Sequence, residues 1–568
     1  MPAQSTPAKL PGWEDFAAIT DPFGIADSWR QSLQSWLTHP DQLGERYQQF
    51  ATDWLAVNQQ IWQRLCGITT GDAIPVIEHD ERFHDPAWST HPGFDALKEI
   101  YLLHTRALVD AIYASPGLDT KTAQRAAFWV KQWLDAVAPS NFFWTNPTAI
   151  DHALESNGES LRQGAANFAR DLAAGDVLMV DPHAFTLGRD LATTPGEVVL
   201  RNELLELIQY TPTTPQVRSM PVLIVAPWIN KFYILDLKPR NSLVRYLVSQ
   251  GFTVFVTSWK NPGPEARDTG FEDYLIKGVL AAVDTAREIT GAEQIHAVGY
   301  CLGGTTLTSL MAWFAADAAT TPPIAHWTLF TTLTDFSDPG EIGVFLSEAA
   351  VGFIEQGMAG KGYLDGREMA RSFRMLRPNS LIWHYVVHSY LYGEALPAFD
   401  VLFWNMDATR MRAAMHSWYL RELYLGNHLA QGALTIAGRR LDLGSIRQPL
   451  YAVGCEQDHI APWKQTFRTC GLVGGPVRYV LATSGHILGI INPPVDPPKR
   501  RYWVGDASGC SDAEQWRASI AKVPGSWWED WTAWLHERCG EWRDAPAAAG
   551  SAGHPPLAAA PGCYVLEK

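Results

Sequence analysis

Residues 295–304 read IHAVGYCLGG, and the order of residue types in this stretch decides the fold. Ile295 to Val298 is a short apolar run, as in a strand buried on both faces of a parallel sheet. Thr305 to Phe314 follows with the pattern of a buried helix. Between them lies Gly299-Tyr300-Cys301-Leu302-Gly303-Gly304, a G-x-C-x-G turn from strand to helix. The glycines permit a sharp turn and keep neighbouring side chains away from the central residue. The helix N-terminus beyond it favours negative charge, which helps a thiol ionise. Cys301 therefore reads as a nucleophile held on an elbow at the end of a strand.

Working outward, short apolar runs recur on both sides of this elbow. Val222 to Val225 and Thr253 to Thr257 precede it, with a helical stretch from Phe271 to Thr290. Trp327 to Phe330, Pro449 to Val453 and Val477 to Leu481 follow it. Strands alternating with helices predict an α/β core with a mainly parallel sheet. Glu197 to Tyr210 begins with strand-like β-branched residues. Residues 1–195 read instead as a helical domain. Trp54, Leu55, Val57, Ile61, Trp62 and Leu65 recur at helical spacing, as do the apolar residues of AAFWVKQWLDAV (126–137). The catalytic domain is placed at 196–545. An aromatic-rich helical insertion at about 334–445 interrupts its rhythm and is expected to form a lid. The Ala/Gly/Pro-rich tail, 546–568, is expected to be loosely ordered.

Composition narrows the class. A chain of 568 residues with 46% hydrophobic and 18% charged residues is globular, and too long for one core. The net charge of −15 disfavours a nucleic-acid partner. No stretch approaches the length of a membrane span, and no secretory signal is visible. Seven cysteines without a C-x-x-C pair suggest neither a disulfide framework nor a metal site, and fit a reducing cytosol. The 24 tryptophans call for broad apolar surfaces, internal or facing an apolar product.

A cysteine nucleophile needs a base and an orienting acid. On this topology they follow in the order nucleophile, acid, histidine. Asp458 lies just after Pro449 to Val453, and His486 just after Val477 to Leu481, so both sit in loops at strand ends. His459 is the rival base and Asp335, in TTLTDFSDP, the rival acid. Two backbone N–H groups are needed to hold an oxyanion. Leu302, directly after the nucleophile, supplies one. The other falls in Ala226-Pro227-Trp228-Ile229-Asn230; proline has no N–H, so Ile229 is placed first and Trp228 second.

Longer stretches resemble a known family, the class I polyhydroxyalkanoate synthases. They are PWINKFYILDL (227–237), NSLVRYLVSQGFTVFVTSWKNP (241–262), GYCLGG (299–304), FDVLFWN (399–405), DHIAPWK (458–464) and SGHILGIINPP (484–494), with RYWVGD (501–506) and SWWEDWTAWL (526–535). The resemblance spans roughly 80–565. It implies an α/β-hydrolase core with a helical N-terminal region, a lid and a homodimer. It implies polymerisation of (R)-3-hydroxyacyl-CoA, of short-chain type, into polyester through an acyl-cysteine, with coenzyme A (CoA) as leaving group and no resident cofactor or metal. Its implied partners are the growing chain, the surface of cytoplasmic storage granules and granule-coating proteins. Carried over by motif, the triad is Cys301, Asp458 and His486. Arg367, Arg371, Arg374 and Arg377 share one helix face. Arg371 and Arg374 are the candidate contacts for CoA phosphates, against the plainer reading of a solvated charged face. A thioesterase or depolymerase could use the same triad, and a granule-coating scaffold could carry it unused.

Overall fold

A computed structural model describes residues 20–68, 70–71, 74, 80–317, 319 and 321–568. The chain forms two compact units. One comprises residues up to 181 with 347–353 and 371–397, and the other 182–346, 354–370 and 398–568.

The larger unit is built on an eleven-stranded sheet. Its strands in chain order are β1 Gly196–Arg201, β2 Leu205–Tyr210, β3 Val222–Val225, β4 Val254–Trp259, β5 Ile295–Tyr300, β6 Ile324–Phe330, β7 Leu450–Cys455, β8 Val477–Ala482, β9 Arg501–Asp506, β10 Val523–Pro524 and β11 Ala558–Ala559. The spatial order is β10-β9-β8-β7-β6-β5-β3-β4-β2-β1-β11. From β4 to β8 every pairing is parallel. These are the six apolar runs of the sequence, and β3, β4, β5 and β7 are buried along their whole length. Antiparallel strands extend both edges.

The tail is not loosely ordered. β11 pairs with β1 at the sheet edge. Lys231, buried beside Asp407 at 2.9 Å, donates to the carbonyls of Val565 and Glu567. The N–H groups of Cys563 and Tyr564 donate to the Glu206 carboxylate. The Ala/Gly/Pro-rich composition favours loose order, but specific polar partners fix this segment.

Three tryptophans of SWWEDWTAWL explain that motif. Trp527, Trp528 and Trp531 are fully buried. The first two donate from the indole N–H to the carbonyls of Gly489 and Ile490, each at 2.8 Å, and Trp531 donates to Thr328 Oγ1 at 3.0 Å. The helix Trp527–His536 thus anchors the loop that follows His486. Emptying one such aromatic site costs about 3–5 kcal/mol in typical cores.

The smaller unit is helical, as its sequence predicts. Its main helices are Ile25–Thr38, Pro40–Leu65, Pro92–Tyr113, Thr120–Ala136, Pro147–Glu155 and Glu159–Ala174. Val57, Trp88, Leu102 and Leu103 lie at the centre of one cluster. Not all apolar positions are buried. Leu55 and Trp62 are about two-thirds exposed, and Trp144 is 82% exposed. The expected boundary at 195 lies earlier. Residues 182–195 join the larger unit, where Ala192 N–H donates to Asp236 O and Thr194 Oγ1 donates to the buried Asp236 carboxylate. Nor is the insertion at 334–445 a single lid, because 347–353 and 371–397 join the helical unit.

Candidate active site

The elbow is tight because its neighbours leave no room for side chains. A Cβ on Gly303 would strike the carbonyl oxygens of Val225 and Ala226, at the end of β3. One on Gly304 would strike Thr332, in the loop after β6. Cys301 itself adopts φ 52°, ψ −120°, a strained conformation for a residue with a side chain. It is partly exposed, while Tyr300 and Leu302 on either side are buried. The strain therefore serves to lift one thiol out of the sheet edge. The helix Leu302–Ala315 starts immediately behind it.

Two further loops converge on this thiol. Asp458 follows β7 and His486 follows β8, and these strands pair in parallel. Backbone bonds lace the loops together, from Glu456 N–H to Ala482 O and from Gln457 N–H to Ser484 O. His486 donates from Nδ1 to Asp458 Oδ2 at 2.7 Å. The other carboxylate oxygen, Oδ1, accepts from the N–H groups of Ile460 and Ala461, both at 2.8 Å. This division fixes the carboxylate plane and leaves one oxygen for the imidazole. The Cys301 side chain lies near enough to the same imidazole to act on its charge. Because Nδ1 is taken, Nε2 is the nitrogen left for sulfur. Tyr300 stacks on the ring, with centroids 5.7 Å apart, and its hydroxyl donates to His486 O at 3.4 Å.

Electrostatics favours the charged imidazole. Burial alone would lower the His486 pKa, but the charges of Asp458 and Cys301 outweigh it and raise it from 6.5 to about 10. The folded state therefore gains from the charged ring. That stabilisation is complete below the ordinary value and is lost as pH rises through about 10. At pH 8 His486 is expected to carry protons on both ring nitrogens, read by 15N NMR of histidine-labelled protein. A neutral ring at pH 8 contradicts this electrostatic picture.

The rivals are placed otherwise. Asp335 accepts from Ser337 N–H, Asn427 Nδ2 and Arg468 Nη1, so its carboxylate is engaged in a separate network. His459 adjoins Asp458 in sequence and is partly exposed, but it is His486 that receives the Asp458 carboxylate. Arg374 is 5% exposed and paired with Asp176 at 2.8 Å, and Arg371 donates to Gly175 O. Arg374 is thus neither a solvated charge nor an unclaimed one, and the run of four arginines is not one uniform face. Leu302, first in its helix, has no intrahelical acceptor for its N–H. Ile229 stands in the loop after β3. Thr409 braces this loop, its Oγ1 accepting from Asn230 N–H and donating to Trp228 O. Thr409 and Tyr300 carry no sequence signal of their own. Among the described residues no group of His, Cys, Asp and Glu side chains could hold a metal ion.

Comparison with known proteins adds an independent line. Residues 79–247 match the model of the poly-beta-hydroxybutyrate polymerase (PhaC) N-terminus, and residues 234–493 that of the alpha/beta hydrolase fold. The chain is 43% identical to a poly(3-hydroxyalkanoate) polymerase of Methylorubrum extorquens, covering 96% of this chain and 89% of the relative. It is 42% identical to a poly(3-hydroxyalkanoate) polymerase subunit of Cupriavidus necator, covering 93% and 89%. A Rhizobium etli subunit of the same description is 39% identical, covering 94% and 84%.

Proposed function

The chain belongs to the poly(3-hydroxyalkanoate) polymerase family, and from that premise we propose that Cys301 carries the growing polyester as a thioester. It is an acyltransferase-type polymerase. The finer reading is that it takes (R)-3-hydroxyacyl-CoA, of short chain, at the surface of storage granules. The observation that supports the acyl-cysteine is the meeting of Cys301, His486 and Asp458 at the elbow.

In this reading His486 Nε2 already holds the proton drawn from Cys301, and the thiolate attacks the CoA thioester carbonyl. The oxyanion forms against the N–H groups of Leu302 and Ile229. The C–S bond to CoA breaks, and CoA leaves with the proton from His486. One thioester has replaced another, so the acyl group stays activated. A hydroxyl from the next unit then gives its proton to His486 and attacks the acyl-cysteine. The new ester forms and the sulfur is released. Asp458 keeps Nδ1 protonated throughout, which aims Nε2 at sulfur and steadies the charged ring. Water at this step would yield free acid instead, so the chamber must be shielded.

The helical unit is given the supporting role of dimerisation and attachment to polymer. Its exposed Trp62, Trp133 and Trp144 supply apolar surface for it. Among the described residues no helix is long and apolar enough to cross a membrane. Incubation with (R)-3-hydroxybutyryl-CoA tests the reading. Release of CoA together with insoluble polyester is expected. Release of free 3-hydroxybutyrate without polymer would make the protein a hydrolase, and no release would make it a scaffold.

A further inference from the structure

Tyr419 and Tyr424 lie on the segment Tyr419–Leu425, a π-helical turn, and no motif had singled them out. Tyr419 donates its hydroxyl proton to the Tyr424 oxygen at 3.0 Å. The two side chains reach opposite sides of the elbow. The Tyr419 ring packs edge-on against Trp228, in the loop after β3, at 6.3 Å. The Tyr424 ring packs edge-on against Phe336, in the loop after β6, at 4.9 Å. In the sheet β5 lies between β3 and β6, and Cys301 stands at its end. The hydroxyl pair therefore spans the space above the nucleophile. It is held there from both ends. Asn427 Nδ2 donates to Asp335 and its Oδ1 accepts from Phe336 N–H. Arg421 donates to Glu355 from two nitrogens, each at 2.8 Å. π-helical turns are rare and frequently found at functional sites.

The pair is directional. Tyr419 is buried, whereas Tyr424 is partly open. Tyr424 accepts from Tyr419, so its own O–H is the donor left over, strengthened by the bond it receives. Trp228, 3% exposed, is a second donor beside Tyr419, its indole N–H without an acceptor among the described residues. Burial is the largest cause holding both phenol pKa values up, and the charge on Cys301 contributes to each. Both hydroxyls thus remain protonated donors within electrostatic reach of the sulfur.

Resting on the acyl-cysteine reading above, we infer that Tyr424, with Tyr419 behind it, reads the 3-hydroxyl of the acyl group delivered to Cys301. The Tyr424 O–H donates to the hydroxyl oxygen of the substrate. The substrate's own proton stays unbound, which leaves it for a base. An acyl group lacking this hydroxyl leaves the Tyr424 donor without its partner, and sites built to bond a substrate hydroxyl discriminate strongly.

The test is single-turnover acylation of the full chain with (R)-3-hydroxybutyryl-CoA and, separately, with butyryl-CoA, read as CoA release and intact mass. Wild type is expected to prefer the hydroxyacyl substrate. In Tyr424→Phe the ratio of the two rates should fall about 10–100-fold. Tyr419→Phe should lower it less, since Tyr424 keeps its hydroxyl. The rate at which iodoacetamide alkylates Cys301 is measured in each variant to show that the elbow is intact. An unchanged ratio, or an equal loss on both substrates, overturns the inference. If wild type forms no acyl-enzyme from either substrate, the acyl-cysteine reading itself fails and the inference falls with it. Failure of the inference alone leaves acylation of the wild type intact and the ratio unmoved in the variants.

Discussion

Cys301→Ala should lose CoA release by about 10⁴–10⁶-fold while the protein remains folded. The size of the effect follows from the chemistry. Among the described residues Cys301 is the thiol that acts on the His486 charge, and two other cysteines are shut away from the site chemistry by burial. Cys455 and Cys470 are buried, and burial pushes both thiols well above their ordinary value. Neither can ionise at working pH to replace Cys301. Stability should change little, because the substitution removes one partly exposed sulfur and keeps the same backbone. Cys301→Ser is the sharper variant. Its hydroxyl ionises far less readily, and any acyl-serine it forms is an oxygen ester without the activation of a thioester. CoA release and urea denaturation measured side by side decide the matter. Retained turnover by Cys301→Ala would remove the nucleophile from the mechanism.

The second large effect concerns the pair behind the thiol. His486→Gln should slow acylation of Cys301 by about 10²–10⁴-fold, the usual worth of a positioned base. Glutamine still offers a donor to Asp458, so the buried carboxylate is not left bare. Alanine would leave Asp458 Oδ2 without its partner and destabilise the fold by about 3–5 kcal/mol. Asp458→Asn should act differently. The new amide is a donor facing Nδ1, which favours the wrong tautomer. Some acylation should survive, because sulfur needs less help to lose its proton than a hydroxyl does. Elongation, in which a hydroxyl attacks, should lose more. Single-turnover acylation and steady-state polymerisation, measured on the same preparations, separate the steps. Equal losses in both for Asp458→Asn would refute this division of labour.

Much of the sheet and of the candidate site's place on it was legible because the patterns are local. Buried parallel strands write themselves as apolar runs, and the elbow as G-x-C-x-G. Asp458 and His486 follow from strand order, since parallel neighbours bring their C-terminal loops to one edge. The edge strands were harder. RYWVGD forms β9, but its ends are charged and its pattern is weak. The tail showed only its composition, whereas its order comes from Glu206, Lys231 and Asp407, more than 150 residues away. The division of the insertion was not legible either. Helical spacing marks an apolar face but does not say which core receives it. Arg374 illustrates the point, because its partner, Asp176, is 198 residues away. Tyr419 and Tyr424 were hidden for the same reason. Two tyrosines in an aromatic-rich helix are unremarkable until the fold brings one against Trp228 and the other against Phe336.

The most direct test of the central claim is to find the acyl group. The full chain is mixed with less than one equivalent of (R)-3-hydroxybutyryl-CoA, quenched in acid, digested and examined by mass spectrometry. The mechanism predicts a 3-hydroxybutyryl unit, or a short oligomer of it, on the peptide containing Cys301, removable by hydroxylamine and absent from Cys301→Ala. An acyl group on any other residue, or equal labelling of Cys301→Ala, would contradict it.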